Sequence, residues 1–308
     1  MKRVTIHLGH GKTGTSALQT ILAKNHENLK DKGVLYPYHP SFEQAKKGWV
    51  SAGNINTDIE GWAQNLVSEI VEKTEYKDYI FSSEVAFWKM DGAYQFFKEI
   101  SKYIHCRFII CVREPIEMVS SAYMQAVKRA GYIGSVTEFI SKEHHLSQAS
   151  HVLRALSRNE LDVTVINYSS DPSSSNFQIL DAMEVLQLID LDLPSAKKIV
   201  NRSLTQSELM AIRFINKFFG PSIGREAADA LVNMLPDVKA DKILIPYRDQ
   251  IDFIEKVRPA ADEVNNYLPK NQRLQLVPQS EENVFYDQLL EEDQASVIKG
   301  VLSKYINN

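Results

Sequence analysis

Eight residues near the amino terminus, Gly9, His10, Gly11, Lys12, Thr13, Gly14, Thr15 and Ser16, constrain the fold more than any other stretch. They follow a short β-rich run, Val4 to Leu8, and precede Leu18, Ile21, Leu22 and Leu29, whose spacing predicts a helix lasting until Gly33. A strand, a glycine-rich turn and a helix in direct succession open a parallel α/β sheet. The chemistry of the turn agrees with its position. Glycines let main-chain amides turn inward around an anion, the helix start adds N–H groups without intrahelical partners, and Lys12 adds a full positive charge. The stretch therefore reads as a phosphate-type cradle.

Further runs suited to strands are Val34 to Tyr38, Tyr79 to Ser83, Cys106 to Val112 and Val163 to Tyr168. Helical patterns at 60–73, 91–103, 115–128 and 146–158 separate them, which predicts a parallel sheet flanked by helices on both faces. Asp171 to Ser175 reads as a polar loop. After about residue 176 amphipathic segments dominate, at roughly 176–189, 205–219, 223–235, 249–268 and 288–305. Ser135 with Glu138 and Thr205 with Glu208 have the spacing of capping boxes. No linker of the Pro/Gly/Ser type divides the chain, so the expected organisation is a single domain over 1–308. Its portion from roughly 176 to 308 is a mostly helical extension packed on the α/β core.

Composition excludes several classes. Of the 308 residues, 44% are hydrophobic and 24% charged, enough apolar material for a large core and too much for disorder. Lys plus Arg total 35 against 39 Asp plus Glu, and that net charge of −4 disfavours a nucleic-acid partner. Cys106 and Cys111 lie on one predicted strand about 16 Å apart, too far to pair, and lack the spacing of a zinc site. No metal is expected. The first apolar run is too short for a signal peptide and no run reaches the length of a spanning helix, so the expectation is a cytoplasmic protein without a transmembrane segment.

The ordinary nucleotide-triphosphate loop reads G-x-x-x-x-G-K-[ST]. Gly9 and Gly14 have that separation, but Thr15 stands where the lysine belongs, and the lysine has moved inside the loop as Lys12. No acidic strand end suited to Mg²⁺ accompanies it: the run at 79 ends in Ser82, Ser83 and Glu84, and the run at 106 ends in Arg113. Arg113 opens a second basic element. Pro115 is placed to start a helix, and Ser121 falls within its first two turns, so guanidinium and hydroxyl can converge on one anion. Pairing of Arg113 with Glu114 or Glu117 is the plainer alternative.

Together the two elements resemble the sulfotransferases that use 3′-phosphoadenosine-5′-phosphosulfate (PAPS). The stretch Lys12 to Ser16 is similar to that family's 5′-phosphosulfate loop, and Arg113 with Ser121, followed by Tyr123, is similar to its 3′-phosphate element. Weaker similarity lies in Ser82-Ser83-Glu84, Asn167-Tyr168 and Asn201-Arg202-Ser203-Leu204. The chain departs from the family in having Gly11 where many members carry proline and Met118 where a second arginine is common. It also lacks a clear glycine-rich adenine motif near its end.

The resemblance implies a P-loop-like sulfotransferase fold and metal-free transfer of a sulfuryl group to an acceptor hydroxyl, with adenosine 3′,5′-bisphosphate as product. Gly11, Lys12, Thr13, Gly14, Thr15 and Ser16 would hold the phosphosulfate, with Lys12 at the leaving oxygen; Arg113 and Ser121 would hold the 3′-phosphate. Glu84 is the first candidate for the base and His10 the second. The implied acceptor is a saccharide or glycolipid, with other small molecules behind it. Two rivals stay open: phosphoryl transfer by a kinase or NTPase, and a binding module without chemistry. Among the remaining signals, Trp49, Trp62 and Trp88 read as core or rim residues rather than sugar-stacking ones, and His144, His145 and His151 as a solvated cluster. Phe214, Phe218 and Phe219 read as packing between the last helices.

Overall fold

The structure, a computed structural model, describes the chain apart from His10, Val50, Ala52, Ile59, Thr74 and the stretches 169–171, 190–201, 240–244, 280–289 and 307–308. In chain order its elements are β1 (Lys2–Gly9), α1 (Thr15–Lys24), α2 (His26–Asp31), β2 (Val34–Leu35), α3 (Phe42–Lys46), α4 (Trp62–Glu72) and β3 (Asp78–Ser82). Then come α5 (Glu84–Trp88), α6 (Tyr94–Ile100), β4 (Ile104–Val112), α7 (Pro115–Ala130), α8 (Val136–Ser141), α9 (His145–Arg158) and β5 (Asp162–Asn167). Helices α10 (Pro172–Ala182), α11 (Gln206–Phe219), α12 (Pro221–Met234), α13 (Tyr247–Asn265) and α14 (Glu292–Ile306) complete the chain. It divides into two compact units: Met1–Glu114, His144–Ser195 and Val257–Leu276 form the first, and Pro115–Glu143, Ala196–Lys256 and Val277–Asn308 the second.

The first unit is an α/β layer structure. Its five strands are all parallel, in the order β2-β3-β1-β4-β5, and correspond to the five runs that the sequence predicts. On one face Ile80, Ile109, Cys111 and Ile166 pack under Leu18, Ile21 and Leu22 of α1, Leu29 of α2, Phe42 of α3 and Ile179 of α10. On the other, Phe108 meets Phe97 of α6 at 5.1 Å. Both faces of β1 and β4 are buried over most of their length, and the apolar run that ends β4 is what such burial requires. The amino ends of the strands close with charge: Arg3 and Arg107 both donate to Glu184, while Asp78 pairs with Arg3 and Asp162 with Arg107.

Three local expectations are corrected. The helix predicted from Leu18 to Gly33 is two, because the side chain and main-chain N–H of Asn25 both donate to the Ile21 carbonyl and end α1. The predicted polar loop at 171–175 is instead the first turn of α10, begun by Pro172, a residue preorganised for that position; Asp171 lies outside the described residues. That helix stops at Ala182, short of 189, and Glu184 follows in the left-handed region at φ 59. Cys106 and Cys111 are buried free thiols.

The second unit is helical. At the start of α11, Thr205 and Glu208 form the complete capping box, and Ser135 caps α8 through its hydroxyl. Glu208 is fully buried and receives both terminal nitrogens of the buried Arg202 at 2.8 Å; Arg202 also donates to the carbonyls of Leu231 and Leu235. The expected packing of Phe214, Phe218 and Phe219 is overturned: they are 58%, 60% and 36% exposed. Helix α11 buries Leu209, Ile212 and Ile215, and the 3.6-residue period places Phe214 and Phe218 on the other side, where their tilted rings meet at 4.5 Å. No described helix is long and apolar enough to cross a membrane.

Candidate anion-binding site

Because every strand is parallel, Gly9, Ser82, Val112 and Asn167 all end at one edge of the sheet. The chain leaves β1 toward β2 on one side and leaves β4 toward β5 on the other, so the segments after these two adjacent strands part and open a crevice. The glycine-rich loop and Arg113 are the segments that flank it.

Two residues of the loop adopt left-handed conformations, Lys12 at φ 75 and Gly14 at φ 75. Such alternation turns successive main-chain N–H groups to one side, the arrangement that holds an anion. Gly14 is also the residue before α1, which has no side-chain cap, so the amides of the first turn face the same concavity. Lys12 has a Cβ and holds its conformation at a cost of about 1–3 kcal/mol. The surroundings maintain it: Arg113 Nη1 donates to the Lys12 carbonyl at 3.2 Å, and its guanidinium lies 5.9 Å from the centre of the Tyr168 ring. Gly14 is pressed against the same tyrosine, where a methyl group would come within 2.3 Å of Cε2. Thr13 and Thr15 are buried and fold back over Gly9, where a methyl group would lie 3.1 and 2.4 Å from their hydroxyls.

Glu84 begins α5, directly after Ser83, whose hydroxyl accepts from the Ala86 amide. Its carboxylate lies beside the loop: a methyl on Gly11 would sit 3.8 Å from Oε2. Burial pushes this carboxyl above its ordinary range, while the Lys12 cation and the Thr15 side chain pull it back. Beneath the loop, His7 is fully buried, its Nδ1 3.0 Å from Ser82 Oγ and its Nε2 3.3 Å from Cys111 Sγ, with Gln19 Nε2 3.2 Å from the same serine. Burial pushes His7 down to about 3, so the ring is neutral and joins the ends of β1, β3 and β4 under the cradle.

The structure thus gathers Gly11, Lys12, Thr13, Gly14, Thr15, Ser16, Glu84 and Arg113 at one sheet edge. Ser121 lies half-buried on α7, in the second unit, and His10 lies outside the described residues. Glu114 turns elsewhere: Asn167 Nδ2 donates to its Oε1 at 2.9 Å and the Gln275 amide to its Oε2 at 2.8 Å. Sequence reasoning missed His7, the contact between Tyr168 and Gly14, and the docking of Gly53 and Asn54 on β3. The Asn54 side chain accepts from the Ser82 amide at 2.7 Å and donates to the Ile80 carbonyl at 3.0 Å. Gly53 permits it, since a methyl there would fall 1.8 Å from the Ser82 carbonyl. The polar His7 between the buried Ile6 and Leu8 was the one available signal. Asn201, in the weakly similar Asn201-Arg202-Ser203-Leu204 stretch, lies outside the described residues, and Arg202 serves the buried pair with Glu208. No family model matches the chain, and no curated protein sequence matches it significantly.

Proposed function

We propose that the chain is a sulfotransferase that takes a sulfuryl group from PAPS and delivers it to an acceptor hydroxyl, on a saccharide or glycolipid. The observation that carries this reading is the contact of Arg113 with the Lys12 carbonyl, which sets a second basic group beside a cradle that already contains a lysine. A donor with one anionic group on each side of a nucleoside calls for such a pair. The left-handed positions at Lys12 and Gly14 and the uncapped start of α1 suit its phosphosulfate. The guanidinium of Arg113 suits its 3′-phosphate, with Ser121 assigned to that phosphate from the sequence resemblance alone.

When bound, PAPS supplies a sulfuryl group on a phosphate that departs as part of adenosine 3′,5′-bisphosphate. The amides of Gly11 to Ser16 orient the anionic end, and Lys12 neutralises the charge that develops on the leaving oxygen. Glu84, held above the usual carboxylate range by burial, accepts the proton of the acceptor hydroxyl. Glu84 opens α5, while Lys12 and Arg113 lie in the segments that follow β1 and β4.

The test has two parts. Calorimetric titration should show adenosine 3′,5′-bisphosphate binding without a divalent cation, and incubation with ³⁵S-labelled PAPS and fractionated cell extract should label a saccharide-containing compound. Mg²⁺-dependent ATP consumption without bisphosphate binding would replace this reading with phosphoryl transfer. Bisphosphate binding without any labelled product would leave a binding module.

A further inference from the structure

Trp88 is the last residue of α5, one helical turn beyond Glu84. Residues four apart on a helix share a face, with Cβ atoms about 5–6 Å apart, so the indole and the carboxylate belong to the same side of α5. Trp88 is 36% exposed. It stands among three other rings and keeps part of its surface open to solvent. Phe87 meets it at 88°, His144 at 67° and His145 at 80°, with centroids 5.4, 5.5 and 4.9 Å away, and no described ring lies parallel to it.

The two histidines come from a distant part of the chain. Helix α9 packs on β4 and β5 and ends just before β5 begins, so it runs against the strands and its first residues reach the edge where the strands finish. His144 precedes that helix and His145 opens it. The crossover therefore brings two imidazoles to the side of α5 that carries Glu84. His144 is exposed and His145 half-buried.

An exposed aromatic face rimmed by groups that donate or accept hydrogen bonds is complementary to a molecule with one apolar face and a polar edge. A pyranose ring has that form: its axial C–H bonds stack on an indole while its hydroxyls point outward. We infer that Trp88, with His144 and His145 at its rim, is a pyranose-stacking platform that presents an acceptor hydroxyl to Glu84. The inference rests on the reading of Glu84 as the acceptor's base, and it adds a ligand to the rim position expected of Trp88.

The experiment uses saturation-transfer difference NMR on the full chain with methyl β-D-glucopyranoside and methyl β-D-galactopyranoside as probes. Each sample is also titrated with adenosine 3′,5′-bisphosphate by calorimetry. Saturation should concentrate on the ring C–H protons of at least one glycoside and fall about fivefold or more in Trp88→Ala, with most of it kept in Trp88→Phe. Bisphosphate affinity should stay within about twofold in both variants. Trp88→Leu, which keeps apolar volume without a π-face, should lose the signal too, and serves if the alanine variant does not fold. Absence of glycoside saturation in the unaltered chain, or equal saturation in Trp88→Leu, overturns the platform. A Trp88-dependent glycoside signal without bisphosphate binding upholds the platform and removes the donor reading; bisphosphate binding without that signal does the reverse.

Discussion

Arg113 Nη1 donates to the carbonyl of Lys12 at 3.2 Å, joining residues 101 positions apart. The contact braces a residue held at φ 75 and places the guanidinium at the rim of the loop that the lysine belongs to. One arginine thereby supports the shape of the cradle and contributes to its charge.

Arg113→Lys should weaken adenosine 3′,5′-bisphosphate binding by about 1.5–3 kcal/mol, roughly tenfold to 150-fold. A single ammonium cannot span a carbonyl and a phosphate as a planar fork does. Calorimetric affinity within twofold of the parent would contradict the double role.

Lys12→Ala and Lys12→Gly should both lower kcat by a few hundredfold, about 3–4 kcal/mol of lost transition-state stabilisation. They should differ in stability. Glycine at φ 75 relieves about 1 kcal/mol of backbone strain that alanine retains, so the glycine variant should melt higher than the alanine one. Melting curves of the pair decide it.

Gly14→Ala combines a left-handed alanine, costing about 1–2 kcal/mol, with a collision against the Tyr168 ring. Adding Tyr168→Ala should remove the collision but leave the backbone cost, so the two losses should combine less than additively in urea denaturation. Simple additivity would show that Tyr168 does not press on the loop.

The raised Glu84 carboxyl has a definite consequence for stability. Its ordinary value is 4.5, and burial holds it higher in the fold. Between those two positions the native chain binds more protons than the unfolded one, so stability falls as pH rises through that window. Glu84→Gln should therefore match the parent's Tm below the ordinary carboxylate range and exceed it above the folded-state value. A difference in Tm that is flat across pH would exclude the perturbed carboxyl, and the acidic limb of kcat/KM should vanish in the same variant.

In the second unit, Arg202→Ala leaves the Glu208 carboxylate buried without its bidentate partner and should destabilise by about 3–5 kcal/mol. Glu208→Gln should cost less, because the amide oxygen can still accept from Arg202. Equal losses on denaturation would mean that the charge on Glu208, and not the packing that the isosteric glutamine keeps, carries the contribution.

Much of the first unit was legible from local pattern. The apolar run Cys106 to Val112 reads as a buried strand from its residues alone, and glycines mark the Gly9 to Ser16 stretch as a turn. Boundaries failed where a single side chain decided them, at Asn25 and at Pro172. The placement of Phe214 and Phe218 was illegible because a helix with large apolar residues on both sides does not announce which side meets the core.

By itself the sequence determined the five strands, the glycine-rich turn and the capping of α11, since each depends on residues within a few positions of one another. Only the tertiary structure decided that Arg113 reaches Lys12, that Tyr168 requires glycine at position 14, and that His145 stands beside Trp88. Those contacts follow from the order in which strands join the sheet and the direction in which helices return across it. Such choices are made by packing over the whole layer, and no local spacing of residues encodes them.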